Sequence, residues 1–219
     1  MRDLQDAVSG LYTAFGTTPR PTVIQHEPYE LQPGEVTTLL GQPLRELPPG
    51  LMRSYLCDAL YTVGTWDDFR YFLPRLLELL VTDEIELDPI ACRLAYAREQ
   101  GCRLTGTQDA ALETFFLTYW DDLLWHFPWY ADLALRWGLM EQVGLTRSTL
   151  LARWWAHPNR AVVLAEVLLL NGTPPPEWPR AALRDWLETA FFAAEGAEDG
   201  QFYSDALLIL EHLPDLPGP

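Results

Sequence analysis

The chain has 219 residues, 48% of them hydrophobic and 12% aromatic, a composition typical of a globular protein and not of a disordered one. Its formal net charge of −16 disfavours nucleic acids and anionic membranes as partners, because binding either of them requires cations that neutralise phosphate. All 15 cationic residues are arginine, which excludes lysine Schiff-base chemistry and a lysine-containing phosphate loop.

The N-terminal quarter combines one helix with an irregular connector. Apolar residues at helical spacing predict a helix over residues 3–15. The next stretch, 16–50, contains seven prolines and little periodicity. It is therefore predicted to be an extended connector with one short helix near 35–41.

From residue 50 onward the sequence predicts one helix after another, with no alternating window long enough for a strand. The expected helices cover residues 51–63, 66–82, 87–101, 108–126, 129–143, 146–156, 158–170, 179–194 and 199–212. The helix over 87–101 has the clearest ends, with Asp88 as N-cap, Pro89 at the first helical position and Gly101 after the last turn.

This pattern indicates an all-α fold. We expect a single domain over residues 1–219, built as a helical array or an orthogonal bundle of about 8–10 helices. A HEAT-like stack is one form that such an array takes. The Pro-rich segment 171–179 is predicted to be a joint within this domain.

Two segments share the pattern W-D-D-x5-P: TWDDFRYFLP at 65–74 and YWDDLLWHFP at 119–128. In the first, Thr65 is the predicted N-cap, and Asp67 and Asp68 fall in the first turn, where carboxylates stabilise the helix dipole by about 0.3–1 kcal/mol each. Asp68 also resembles the acidic member of a capping box. Trp66 is expected on the packed face. Pro74 lies too deep for a helix start, so it should kink the segment or divide it into 66–73 and 74–82.

In the second copy, Asp121 and Asp122 are predicted in mid-helix, with Asp122 spaced to pair with His126. The alternative interpretation is a carboxylate-dependent metal enzyme that uses one aspartate from each motif, with His126 as a ligand or base. Adjacent helical residues point about 100° apart, whereas metal-binding helices space ligands three or four residues apart, so we favour the structural interpretation. No metal ligands, cofactor or catalytic residues are predicted.

Nine aromatic residues lie in the window 115–137, a density that could line an apolar ligand pocket or a partner groove. Their helical spacing favours the core for most of them. One helix cannot bury all its faces, so an exposed patch near Trp125 and Trp129 is the expected contact surface. The acidic run from Asp83 to Asp88 lacks the spacing of a calcium loop and is interpreted as a solvated turn. His157 is expected to have a structural role at a helix C-terminus, where the dipole favours the charged imidazole.

The stretch PLRELPPGLMRSYLCDALYTVGTWDDFRYFLPRLLELL (43–80) resembles the signature of a family of bacterial all-helical proteins without an assigned function. That signature reads TWGD-x-x-DF-(R/K)-(H/Y)-FLPRLLEL after a PLREL approach, and LYTAFGTTPRPTVI (11–24) is similar to the family's opening. The resemblance implies a fold but no activity. It also implies a cysteine-containing segment after the Pro-Arg-Pro turn, where this chain has QHEPYE (25–30). His26 alone would not replace such a segment as a metal site.

Within the matched stretch, three charged residues are set in apolar sequence. Arg75 and Glu78 lie at i,i+3 and are expected to form a buried pair. Together with Arg70, they are candidates for residues that specify the fold and not for catalysts.

The charge, the helical pattern and the missing catalytic motifs favour a cytoplasmic interaction or adaptor module whose partner is a protein with a basic surface. The acidic N-terminus lacks the basic and apolar runs of a secretory signal, and no apolar stretch approaches the roughly 20 residues of a membrane span. Three cysteines without a C-x-x-C spacing indicate no disulfide framework. The sequence defines no oligomeric state.

Overall fold

The computed structural model describes residues 2–27, 29–126, 133–175, 177–194 and 196–213. Within these residues the chain forms eleven α-helices, one 3₁₀ turn and no β-strand, which confirms the all-α prediction. The elements are α1 (Arg2–Phe15), α2 (Pro33–Gly41), the 3₁₀ turn (Leu44–Glu46), α3 (Pro49–Asp58), α4 (Trp66–Val81), α5 (Leu87–Glu99), α6 (Gly106–Trp125), α7 (Leu133–Gln142), α8 (Arg147–Ala156), α9 (Arg160–Asn171), α10 (Arg180–Ala193) and α11 (Ala197–His212).

The short helix expected near 35–41 is present as α2, whose 9 residues make it the shortest of the described helices. With α2 included, the described residues form eleven α-helices, one more than the upper end of the predicted 8–10. Among the described helices, none combines the length and the apolar character that crossing a bilayer requires. The HEAT-like arrangement stays a prediction.

Contacts divide the chain into two compact units. The first unit comprises Met1–Tyr119 with Leu139–Thr146, and the second comprises Trp120–Gly138 with Arg147–Pro219. Helices α6 and α7 each contribute residues to both units. The single domain over residues 1–219 stays a prediction.

The core of the first unit forms where α1 packs against α4. The apolar stripe of α1 is buried as predicted, and it consists of Leu4, Val8, Leu11 and Phe15. The connector is attached to this core by hydrogen bonds. Gly64 donates its N–H to the Gln25 carbonyl at 2.7 Å, and the Gln108 amide donates to the Thr18 hydroxyl at 3.1 Å. These bonds fix the path of a segment that has little regular structure of its own.

The helix predicted over 51–63 is wrong at its C-terminal end, because α3 stops at Asp58. Beyond it, the Asp58 carbonyl accepts hydrogen bonds from the N–H groups of Tyr61, Thr62 and Val63, and Leu60 adopts a φ of 67°. The chain must turn here so that α4 can begin only a few residues later. Tertiary geometry therefore overrides the helical pattern of this stretch.

The predicted division of the first W-D-D segment at Pro74 is also wrong, since α4 runs as a single helix from Trp66 to Val81. A proline in a helix interior removes one hydrogen bond and costs about 3 kcal/mol. Pro74 is itself buried, and so are Leu73 on one side and Leu76 on the other. Burial of this apolar face offsets the loss, at roughly 1.5–3 kcal/mol for each large side chain.

The predicted start of α5 is also wrong. The N-cap is Glu86, two residues before the predicted Asp88, and Asp88 and Pro89 lie in the first turn. That turn tolerates both residues, because its N–H groups have no partner within the helix. Gly101 follows the helix as predicted, with a φ of 77° that glycine adopts without strain.

In the second unit, α9, α10 and α11 pack against one another. Six indole rings form an unbroken series of contacts, with neighbouring centroids between 4.6 and 6.4 Å apart. In order of contact they are Trp120, Trp137, Trp154, Trp178, Trp155 and Trp186. Trp178 comes from the Pro-rich joint, so its ring contacts with Trp154 and Trp155 attach this joint to α8.

Candidate functional site

The first W-D-D motif begins α4 with a complete capping box. The Asp68 carboxylate accepts hydrogen bonds from the Thr65 N–H at 2.7 Å and from its hydroxyl at 2.9 Å. Asp67 forms an ion pair with Arg70 at 2.9 Å. Trp66 is partly buried, and its indole N–H donates to a backbone carbonyl at 3.2 Å. The local role predicted for Thr65 and Asp68 is confirmed.

The second W-D-D motif lies in the last turns of α6, and its carboxylates also have near partners. Asp121 forms an ion pair with Arg153. Burial raises the pKa of the Asp121 carboxyl against the opposing attraction of Arg153. Asp122 lies 3.5 Å from the His126 imidazole, which confirms the predicted i,i+4 pair.

Within the described residues, no group of three or more His, Cys, Asp or Glu side chains is arranged to hold a metal ion. The metal-enzyme interpretation of the two motifs stays an untested prediction.

The pair predicted between Arg75 and Glu78 is present at 2.7 Å and is partly buried. Arg75 also donates to the Leu47 carbonyl at 3.0 Å, and the Tyr12 hydroxyl donates to Glu78 at 2.8 Å. Burial and the bond to Glu78 raise the pKa of Tyr12 well above its usual range. The network joins α1, α4 and the residue after the 3₁₀ turn, an arrangement that suits a fold-specifying role.

The described aromatic residues of the window 115–137 are mostly buried, as their helical spacing predicts: Phe115, Phe116, Trp120 and Trp137 all lie in the core. Trp125 is 50% exposed. Trp129, the other member of the predicted contact patch, lies outside the described residues together with the segment 127–132.

His157 lies behind Trp125 and is only 6% exposed, with the two ring centroids 4.8 Å apart. Its Nδ1 accepts a hydrogen bond from the Asn159 N–H at 3.1 Å, so the neutral tautomer carries its proton on Nε2. Burial lowers the pKa of His157, although the charge of Asp121 opposes the shift. Desolvation therefore outweighs the favourable charge of Asp121, and the burial of His157 agrees with the structural role expected of it.

Most arginine side chains in the described residues contact a carbonyl, a carboxylate or an aromatic ring of the chain itself. Arg98 donates to the carbonyls of Gln142 and Val143 at the C-terminus of α7, beside Gly144. Further arginines that donate to backbone carbonyls are Arg20, Arg53, Arg75, Arg93, Arg103, Arg160 and Arg180. Aromatic rings lie under the guanidinium groups of Arg45, Arg93, Arg147 and Arg160. These contacts give most guanidinium groups a partner within the chain, although Arg20, Arg53, Arg98 and Arg103 are also exposed to solvent.

At least six arginines form ion pairs with carboxylates among the described residues, but the acidic residues are about twice as numerous. Acidic residues outnumber arginines in both units. Exposed carboxylates with no ion-pair or hydrogen-bond partner among the described residues include Asp3, Asp6, Glu46, Asp83, Glu86, Glu99, Glu113, Glu141, Asp185 and Glu188. The charge presented to solvent is therefore predominantly negative.

A groove of about 420 Å³ lies in the first unit, beside the residues that connect α4 to α5. Its lining combines apolar and charged side chains: Arg53, Leu56, Cys57, Asp83, Glu84, Ile85, Glu86 and Pro89. Leu56 and Ile85 are buried at its base, and the carboxylates of Asp83 and Glu86 are exposed at its rim. The Arg53 guanidinium donates to the Glu84 carbonyl at 2.5 Å and lies 3.9 Å from its carboxylate.

The backbone at the rim of this groove has an unusual residue. The N–H groups of Asp83 and Glu84 close the end of α4 on the carbonyls of Leu80 and Leu79, at 3.2 and 3.0 Å. Asp83 occupies the left-handed position of this motif, with a φ of 57°, where glycine is the usual residue. Sequence reasoning interpreted the run as a solvated turn and missed the groove. An acidic residue directly after a helix end, in the place of glycine, was the available signal.

A second groove of about 470 Å³ lies in the first unit and is lined by residues of α1 and α6. Apart from Asp3 and Asp6 its lining consists of small side chains: Ala7, Gly10, Ala110, Ala111, Thr114 and Thr118. The hydroxyls of both threonines are engaged by carbonyls of α6 at 2.8 Å. This groove offers shape but little directional chemistry, so we assign no site to it.

No family model matches the chain, and neither a curated protein nor a solved structure is similar to it. The resemblance of residues 11–80 to a bacterial family stays a prediction. The chain is thus an acidic all-α protein with a groove that has carboxylates at its rim.

Proposed function

We propose that this chain is an acidic interaction or adaptor module that binds a partner protein with a basic surface. The observation that carries the proposal is the unequal use of charge in the described residues. Guanidinium groups are engaged by carbonyls, carboxylates and aromatic rings, while many carboxylates stay exposed without a partner. A surface of one sign attracts molecules of the opposite sign and raises the rate of association.

Charge alone does not provide a stable complex. Exposed ion pairs contribute only about 0.2–1 kcal/mol each, and salt screens them. A stable complex therefore needs apolar contacts as well. Exposed aromatic residues support this part of the proposal, among them Trp125 and Phe192, and so does the apolar base of the groove.

We also propose a cytoplasmic location. All three cysteines, Cys57, Cys92 and Cys102, are free thiols, and Cys57 is exposed. Exposed free thiols persist in a reducing compartment, which supports the proposal. We propose no second function, because each of the four W-D-D carboxylates has a partner close in sequence or in its own unit.

The proposal can be tested by calorimetric titration of the full chain with two capped peptides, hexaarginine and hexaglutamate, at low and at moderate salt. We expect hexaarginine to bind and its affinity to fall as salt rises, because screening weakens the attraction. Hexaglutamate should not bind at either salt concentration. Failure of hexaarginine to bind at low salt, or equal binding of both peptides, would contradict the proposal.

A further inference from the structure

We propose that the groove between α3 and the α4–α5 connection receives an arginine side chain of the partner, held by the carboxylates of Asp83 and Glu86. This inference rests on the proposed function, since it names the place where a basic partner makes its most specific contact. Both the charge and the shape of the groove favour an arginine side chain.

One arginine of the chain itself, Arg53, contributes to the lining of the groove. Arg53 lies at its edge and is bound to Glu84, through the carbonyl at 2.5 Å and at 3.9 Å from the carboxylate. Glu84 is thereby occupied, whereas Asp83 and Glu86 have no ion-pair or hydrogen-bond partner among the described residues. Two carboxylates are left over for an incoming cation. A guanidinium has five donors in one plane and so suits a groove that presents more than one carboxylate.

The apolar part of the groove suits the rest of an arginine side chain. Its methylene groups can pack against Leu56, Ile85 and Pro89, while the charged end stays near the rim. The volume of about 420 Å³ lies toward the lower end of the range for ligand pockets, which fits one long side chain better than a whole helix. An acidic patch without a groove would bind long and short cationic side chains equally well. This groove should bind the longer side chain more tightly, because its apolar lining contacts the methylene groups.

The test uses capped hexaarginine as the probe and compares two double variants of the full chain. Asp83→Asn/Glu86→Gln removes the rim charges, and Asn is chosen because it tolerates the left-handed backbone at position 83. Glu99→Gln/Glu113→Gln is the matched control, because it removes two exposed, unpartnered carboxylates outside the groove. Circular dichroism and melting temperature verify that each variant is folded.

We expect the groove variant to bind hexaarginine about tenfold more weakly than the unmodified chain, since it loses two charge-assisted contacts. The control variant should change the affinity by less than about twofold, because exposed charges away from a contact act weakly. A second probe carries guanidinium side chains shortened by two methylene groups. It should bind the unmodified chain several-fold more weakly, because it cannot reach the apolar base.

The outcomes separate this inference from the function on which it rests. Equal weakening in the two double variants, or equal binding of the shortened probe, would show that only net charge matters and would overturn the groove assignment. In that case hexaarginine would still bind the unmodified chain and the proposed function would stand. If the unmodified chain bound no hexaarginine at low salt, the proposed function would fail with it.

Discussion

Asp83 has a strained backbone conformation and also carries an exposed charge. Its φ of 57° places it in a region that disfavours residues with a Cβ. Aspartate is among the few residues that tolerate this region, but glycine adopts it more readily. Strain of this kind is often kept where the side chain serves a function. At position 83 that side chain is the carboxylate at the rim of the groove.

The first prediction follows from that strain. Asp83→Gly should raise the free energy of unfolding by about 0.5–1 kcal/mol, because glycine relieves the left-handed conformation. Asp83→Asn, which removes the charge and keeps a Cβ, should stay within about 0.5 kcal/mol of the unmodified chain. Urea unfolding measures both variants. A destabilised Asp83→Gly variant would contradict this account of the turn.

Gly64 is constrained by both conformation and space. Its φ is 70°, and an added Cβ would lie 3.3 Å from the Asp68 carboxylate and 3.5 Å from the Tyr55 hydroxyl. Gly101 has a similar φ of 77° but no atom within 4 Å of the corresponding position. The two glycines therefore separate the cost of conformation from the cost of a close contact.

We expect Gly101→Ala to lower the free energy of unfolding by about 1–2 kcal/mol, the cost of a left-handed alanine. Gly64→Ala should lower it by about 1 kcal/mol more, because the Asp68 carboxylate must also shift to make room for the added Cβ. Thermal or urea unfolding of both variants provides the comparison. Equal losses would show that the capping box at the start of α4 can yield without cost.

At the scale of elements, the sequence predicts best where a local rule is sufficient. The capping box of Thr65 and Asp68 and the glycine after α5 depend on residues three or four positions apart, and both are confirmed. Pro74 and the end of α3 depend on tertiary surroundings. The burial of Pro74 keeps α4 whole, and the turn after Asp58 is set by where α4 must begin. Neither cause can be read from a window of sequence.

The junction between α8 and α9 should make stability depend on pH through His157. Burial lowers the pKa of this residue below its ordinary value of 6.5. The unfolded chain therefore takes up a proton at higher pH than the folded chain does. The free energy of unfolding should consequently fall as the pH drops below about 6.5 and should level off below the folded pKa. Protonation of Nδ1 would also break its bond from the Asn159 N–H.

The substitution His157→Gln should remove the contribution of His157 to the pH dependence of stability. The glutamine amide oxygen can still accept the hydrogen bond from the Asn159 N–H. Urea unfolding at about pH 8 and about pH 5.5 should show a smaller loss of stability on acidification in the variant than in the unmodified chain. Burial raises the pKa of Asp121 and Glu166, which acts in the opposite direction in both proteins. Comparison between the two proteins removes most of that background. An equal loss in both would contradict the role given to His157.

The two W-D-D segments give a further prediction at this scale. Asp68 is bound to Thr65, and Asp121 is paired with Arg153. We therefore expect excess Mg²⁺, Mn²⁺ or Zn²⁺ to leave the melting temperature unchanged, because a ligand stabilises a fold only if it binds the folded state. A rise that Asp68→Asn and Asp122→Asn both abolish would instead support the metal-enzyme interpretation.

At the scale of the whole molecule, composition predicts the sign of the surface but not its arrangement. The excess of acidic residues is plain in the sequence. The engagement of Arg98 by carbonyls of α7 is not, because the contact joins residues more than 40 positions apart. The groove cannot be predicted from the sequence either, since Leu56 and Ile85 line the same groove only in the folded chain. Contacts of this range lie beyond any local pattern.

The central claim is that this acidic surface recognises a basic protein, with the groove as its specific contact. The most direct measurement is capture of partners from the cells that naturally express the chain, using immobilised unmodified protein, Asp83→Asn/Glu86→Gln and Glu99→Gln/Glu113→Gln in parallel. We predict a basic protein that is retained by the unmodified and control chains, eluted by moderate salt and depleted on the groove variant. Capture of only neutral or acidic proteins, with elution that salt does not affect, would contradict the claim.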